Sequence, residues 1–342
     1  MRHWACQSQL KNTSGKNNEL TGSIQPRRCL GKLEWILLLS LWFTSCQTLP
    51  RWESQNPWDL FPPDVSFYLY LTVPEHREFL ESLLSRVGEH SNVQGNVPRG
   101  VSYFLDHTSA VYLAILGSES EASSLPYTSY RWILIGVGEY SSFLLRLSLT
   151  PEEGWEKKKI QAGEYSLSYY HHAGSGVQIA LPDTRLLLVS NREIEFPLRQ
   201  FILPSTDPSR CVRPPLGSTS LGLYIPKSGI PFLATLLEPI VPHGTGGIEG
   251  FLVNFERAGS RHYSAGGSIL FGKEEQARSM TVFLRLALAS WFLQQRGNGI
   301  PATVQIQAKG TSIGFSGIPL PLETIAQFVD SMIHRIIRIL PW

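Results

Sequence analysis

Five consecutive residues, Gly310-Thr311-Ser312-Ile313-Gly314, carry the letters of a nucleophile elbow, and Asp330 and His334 follow in the order of a hydrolase triad. The elbow chemistry needs a strand, a sharp turn and then a helix directly behind the serine. Here Ile313, Phe315 and Ile318 continue into a Gly- and Pro-rich strand or loop, with no helix until about Leu322. Asp330 and His334 also fall one turn apart on a single helix, a poor arrangement for two partners that should come from separate loops. No catalytic residue is assigned. Metal ligation is no better served. His171 and His172 are neighbours, and neighbours on a strand point to opposite faces. Gly244-Thr245-Gly246-Gly247 shares only its glycine content with a phosphate loop and lacks the lysine. No metal and no cofactor are expected.

The cysteines carry a stronger signal. The four are Cys6, Cys29, Cys46 and Cys211. Arg27, Arg28 and Lys32 lead into the apolar run from Leu33 to Phe43, and Thr44-Ser45-Cys46 closes it. Positive charge, an apolar core and small residues before a cleavage point are the grammar of an export signal. The run is shorter than the ~20 apolar residues needed to span a bilayer, and Glu34 interrupts it. Phe43-Thr44-Ser45-Cys46 therefore resembles a bacterial lipobox with Phe in the usual Leu position. It is similar to the relaxed boxes of spirochaetal (treponemal-type) outer-envelope lipoproteins. That resemblance implies lipidation at Cys46, palmitate-type acylation, and an extracytoplasmic address at the periplasmic face or outer membrane. Residues 1–26 are polar and stand upstream of the basic cluster, which suggests initiation nearer Leu30. Lipidation would leave Cys211 as the lone thiol, in a Pro-rich linker with no His or Asp beside it.

Composition describes a folded body. Hydrophobic residues make up 42% and charged residues 17% of the chain, a globular balance. Residues 1–45 contain six of the 30 basic and two of the 28 acidic residues, leaving 24 against 26 after the leader. Such near-neutrality removes the case for nucleic-acid binding.

The elements behind Cys46 fall into a repeat. Tyr68 to Pro74 followed by Phe79-Leu80-Glu81-Ser82-Leu83-Leu84 matches Leu221 to Pro226 followed by Phe232-Leu233-Ala234-Thr235-Leu236-Leu237. Phe143-Leu144-Leu145-Arg146-Leu147 matches Phe283-Leu284-Arg285-Leu286. The spacing predicts strands near 65–73, 101–105, 110–116, 132–137, 164–170, 176–181 and 185–190, with helices near 75–87 and 140–149. The second half predicts strands at 250–257, 262–271, 303–309 and 312–317, a long helix at 273–296 and a closing helix at 322–340. The expected fold is α+β, two similar halves, each an antiparallel sheet covered by helices. The expected divisions are a leader at 1–45, a tether at 46–63, a first half at 64–204, a Pro-rich linker at 205–217 and a second half at 218–342.

Two helices are candidates for membrane contact. Met280 to Leu293 is apolar almost all round, including Trp291 and Phe292, and too short to span a bilayer, so burial between two layers is its ordinary explanation. The closing helix places Ile325, Phe328, Val329, Met332, Ile333, Ile336, Ile337 and Leu340 on one stripe, with Arg335, Arg338 and Trp342 near its end. Such a helix either packs on the protein's own sheet or lies among lipid headgroups. The functional expectation is a lipid-anchored envelope protein with a non-enzymatic structural or membrane-interacting role. Its partners would be membrane lipid through the anchor, and an apolar ligand or an envelope protein. The alternatives are a carrier holding an apolar or peptide ligand between the halves, and a serine hydrolase.

Overall fold

The computed structural model describes residue 52 and residues 55–90, 99–117, 131–204, 213–216, 219–231, 247–259, 261–296 and 299–327, the side chains of 82–90, 99–101 and 295–296 excepted. The chain divides into Met1–Thr48 and a body, Leu49–Trp342. The body begins earlier than the expected tether allows. Trp52, Leu60 and Phe61 are buried, and Asn56 caps the short helical turn Pro57–Leu60 by accepting from the Trp58 N–H at 3.1 Å. Within the expected tether at 46–63, Trp52, Leu60 and Phe61 are core material.

The first half runs β1 (Val65–Thr72), α1 (Val73–His90), α2 (Arg99–His107), β2 (Thr108–Leu116), β3 (Arg131–Gly138), α3 (Ser142–Ser148), β4 (Trp155–Ala162), β5 (Tyr165–His172), β6 (Gln178–Asp183), β7 (Leu186–Ser190) and α4 (Glu195–Ile202). The second runs β8 (Leu221–Pro226), β9 (Ile248–Arg257), β10 (His262–Phe271), α5 (Glu274–Arg296), β11 (Gln305–Lys309), β12 (Ser312–Pro321) and α6 over 322–327.

All twelve strands join one antiparallel sheet, in the order β11-β12-β10-β9-β8-β1-β2-β3-β7-β6-β5-β4. This corrects the expectation of two separate sheets. The repeated strands β1 and β8 lie side by side, with Tyr68 opposite Tyr224 and Tyr70 opposite Gly222. Their edges satisfy each other's backbone groups, so the halves fuse. Outward from this seam the chain takes the same path twice: three strands in sequence, a crossing helix (α3 or α5), then return strands that pair with the third. The first half adds the extra hairpin β4–β5.

Helical cover is also unequal. On one face, Ile133, Ile135, Leu167, Tyr169, Leu186 and Leu188 meet Leu198, Phe201 and Ile202 of α4. Trp58 joins them edge-on to Tyr112, with ring centroids 4.8 Å apart. The corresponding face of β9 and β10 reads Gly250, Leu252, Asn254, Ser264, Gly266, Ser268 and Leu270. Among the described residues only Leu252 of that set adjoins a core cluster. Glycine and serine offer too little apolar area to hold a helix there. On the opposite face, α1 and α6 cover Leu71, Val111, Leu221 and Tyr263, while α5 covers β10, β11 and β12.

Two local differences have clear causes. Residues 101–105 form part of α2 rather than a strand, because Leu105 is buried against α1's Phe79 while Ser102 and Asp106 stay exposed, a helical division. The missed strand β4 contains Lys157, Lys158 and Lys159, poor strand formers held by pairing with β5. Charge on an outermost strand also discourages further pairing. The expected linker is partly packed as well, since Leu216 is in the core and Arg213 makes a two-pronged ion pair with Asp59 at 2.8 and 2.9 Å.

Candidate functional site

The long helix α5 starts on Glu274 and Glu275, whose charges suit a helix N-terminus, and Arg278 pairs with Glu274 one turn on at 2.6 Å. Ala277, Thr281, Leu284, Leu288 and Phe292 follow at helical spacing and face the sheet. Thr281 donates its hydroxyl to the Ala277 carbonyl at 2.8 Å, and Arg285 donates to the Ile306 carbonyl at 2.8 Å, which ties the helix to β11. That is one face. Val282, Phe283, Leu286 and Leu293 fall within an arc of roughly 100° on the other, at 3.6 residues per turn. Phe283 is 66% and Leu286 63% exposed. The all-round apolar character therefore reflects one covered and one open face, rather than burial between two layers.

The short helix α3 repeats the pattern. Ser141 caps it, accepting from the Leu144 N–H at 3.4 Å. Phe143 (67% exposed), Leu144 and Leu147 stand in solvent, and none of its seven residues is buried. These are the residues whose likeness to Phe283-Leu284-Arg285-Leu286 marked the sequence repeat. That match is a usable signal for the exposed residues, which the duplication places at the same point of both halves.

A cleft of about 420 Å³ opens at the foot of α3. Leu144 forms one wall, and Tyr103, His107, Glu139, Thr184 and Arg185 form the others. Its backbone is tightly fastened. The Glu139 N–H donates to the His107 carbonyl at 2.8 Å, the Gly138 N–H to Arg185 at 3.0 Å and the Tyr140 N–H to Thr184 at 2.7 Å. A Cβ at position 138 would lie 1.9 Å from the His107 oxygen, so only glycine permits this approach. Tyr140 is buried with its hydroxyl 2.8 Å from that of Thr108, and burial pushes its pKa up to about 12. His107 stacks on Tyr103 at 4.0 Å and donates from Nδ1 to the Tyr103 carbonyl at 2.9 Å, which leaves Nε2 as the acceptor in the neutral ring.

The expected contact residues divide accordingly. Phe292 is fully buried and Trp291 packs edge-on against it at 4.8 Å, so both belong to the core side of α5, not to its open face. Cys46, Cys211, Phe328, Ile333, Ile336, Ile337, Leu340 and Trp342 lie outside the described residues, as do Asp330 and His334. The start of the closing helix packs inward through Leu322, Ile325 and Ala326. Ser312 begins β12 and donates to the Lys309 carbonyl at 3.0 Å across a hairpin turned by Gly310 at φ +57°, so strand rather than helix follows it. His172 bonds Ser175 and the Glu153 carbonyl, while His171 points to the other face. Gly247 sits in a turn at φ +87°, and its neighbours 244–246 are outside the described residues. Among the described residues no three His, Cys, Asp or Glu side chains gather as metal ligands.

No family model matches the chain, and no curated protein matches it in sequence. Solved structures do. Crystal form III of TP0453 superposes with a TM-score of 0.58 at 17% identity, covering 82% of this chain and 99% of that one. Crystal form I of TP0453 gives a TM-score of 0.57 at 18% identity, with 82% and 99% covered. At this identity the likeness is one of fold. The chain shares the architecture of TP0453 over nearly the whole of that protein.

Proposed function

We propose that this is a lipid-anchored, extracytoplasmic envelope protein whose body rests on the membrane through α3 and α5, in a structural or membrane-interacting role without catalysis. The observation that supports this most is the open apolar stripe of α5, Val282, Phe283, Leu286 and Leu293, repeated in small on α3. Exposed apolar residues gathered on one helical face, rather than scattered singly, mark an interaction surface. Full burial of a Phe or Leu side chain is worth about 1.5–3 kcal/mol, so half-exposed residues of this kind retain on the order of 1 kcal/mol each for lipid. No described helix is long and apolar enough to cross a membrane. Association therefore falls to shallow contact and to the anchor at Cys46, which matches the need for two signals in stable attachment. Vesicle flotation of the body from Leu49 onward tests this. The parent floats with the lipid, whereas Phe283→Ser combined with Leu286→Ser stays in the soluble fraction. A parent body that remains wholly soluble overturns the reading.

A further inference from the structure

We infer that His76 is an acid-sensitive latch: protonation of its ring releases the first turn of α1 from the second half while the sheet beneath stays paired. The latch is independent of any membrane contact. His76 lies just after β1, and its backbone leaves the helical conformation at φ −117° and ψ 21°, so α1 is kinked at this residue. The buried ring reaches into the second half. Its Nδ1 bonds the Tyr263 hydroxyl at 2.9 Å, its Nε2 bonds the Ser220 hydroxyl at 3.0 Å, and it stacks on the Tyr263 ring at 5.5 Å. Two further bonds tie the same corner. The Ser220 carbonyl accepts from the Thr72 N–H at 2.8 Å, and Arg257 donates to the Glu75 carbonyl at 3.0 Å.

This setting suits a neutral imidazole. One ring nitrogen donates, the other accepts, and each hydroxyl can take either part. A protonated ring donates from both nitrogens, so the hydroxyl proton given to it loses its acceptor, and a full charge enters a buried site. The surrounding charges do not cancel it. Glu75, beside it on α1, favours the charged ring, whereas Arg257 of β9 opposes it. Glu78 of α1 is engaged with Arg257 at 3.3 Å, and Arg77 is turned to Asp106 of α2 at 2.7 Å. The start of α6 packs around Tyr263 through Leu322, Ile325 and Ala326, which carry no charge. Burial is the largest influence on the ring and lowers its pKa.

Relief of that strain is local. Val73 and Phe79 are buried, Pro74, Glu75, Arg77 and Glu78 are exposed, and His76 is the inward anchor between them. β1 and β8 hold each other through their own ladder, from Tyr68 opposite Tyr224 to Leu71 opposite Leu221. Movement of residues 74–78 alone therefore brings the ring to water, a smaller opening than unfolding. In water the ring takes up its proton near the ordinary 6.5, so acid below that value favours the open turn and neutral pH favours the closed one.

Amide exchange of the full-length chain carrying Cys46→Ala tests this, at labelling times matched for intrinsic rate. Between about pH 7.5 and about pH 5.5, peptides over 73–81 should lose protection by up to about tenfold, the limit for one proton taken up per opening. Peptides of β1 and β8 should keep theirs. His76→Gln still offers one donor and one acceptor but does not titrate, so it should retain the neutral protection and lose the acid response. Should that variant be too unstable to read, the ring resonances of His76 in the parent decide. Their proton uptake must share its midpoint with the loss of protection over 73–81, and a different midpoint overturns the latch. Equal protection at both pH values overturns it, as does an acid response that survives in His76→Gln. A loss spread evenly over β1 and β8 also overturns it, because the event is then unfolding of the sheet.

Discussion

The helices α3 and α5 occupy the same place in the two halves and share a run of Phe, Leu and Arg, yet they are held in opposite ways. The 23 residues of α5 present a buried stripe from Ala277 to Phe292 and an open stripe beside it. The seven residues of α3 bury nothing and depend on the cap at Ser141 and on the chain at either end. Exposure of Phe143 and Phe283 is nevertheless almost equal, 67% against 66%. An exposed apolar face thus coexists with two different anchoring schemes, so it does not arise as a by-product of either.

The largest test strikes the anchored side. Phe292→Ala should cost about 3–5 kcal/mol of unfolding free energy, read from a denaturant midpoint. A loss below about 1 kcal/mol would falsify the claim that the inner stripe holds α5. The open side should behave differently. Phe283→Ser with Leu286→Ser should lower vesicle partitioning of the body at least about tenfold, from on the order of 1 kcal/mol per side chain, with little change in stability. Phe143→Ser with Leu147→Ser should act in the same direction, and a null effect of the α3 pair would confine membrane contact to α5.

A third test addresses the seam that lets the two helices share one sheet. His76, on α1 of the first half, is 1% exposed and is bonded by Nδ1 to the Tyr263 hydroxyl at 2.9 Å and by Nε2 to the Ser220 hydroxyl at 3.0 Å, both in the second half. Burial is the main cause that holds its pKa below 6.5, with Glu75 opposing and Arg257 assisting. The unfolded chain therefore takes up the proton first. The stability this group contributes is complete above about pH 6.5 and is lost as pH falls towards the folded value. His76→Phe should cost about 1–3 kcal/mol at neutral pH by stranding two hydroxyls, and should flatten the acid slope of the melting temperature. An unchanged slope would exclude His76 as its source. The smallest effect belongs to α3: Ser141→Ala should cost about 1 kcal/mol locally, seen as faster amide exchange from Leu144 to Leu149 with the global midpoint nearly unmoved.

Much of the fold was legible because periodicity reports burial. Tyr165, Leu167 and Tyr169 alternate with serines, and β5 buries Leu167 and Tyr169 while Ser166 stays exposed. β4 was invisible, since its lysines are tolerated only at an edge and its existence depends on β5. The site was half legible. Leucine-rich helices announce apolar area, but the letters do not say which arc meets the sheet, so Phe292 stands as a membrane-contact candidate beside the ordinary explanation of a buried helix, while Phe283 and Leu286 mark only the repeat. The cleft left no motif, because Tyr103, Glu139 and Arg185 converge only through tertiary backbone bonds.

The sequence by itself determined the local currents of the chain: the alternation that makes strands, the spacing that makes α5, and the basic, apolar and cysteine order on which the proposed anchor at Cys46 rests. These depend on near neighbours, and near neighbours are written consecutively. Only the tertiary structure decided that two similar halves merge through β1 and β8 into one sheet, and that α5 turns Phe292 inward and Phe283 outward. Those outcomes depend on which surfaces meet between segments far apart in the chain, and a helical face has no inside until something packs against it.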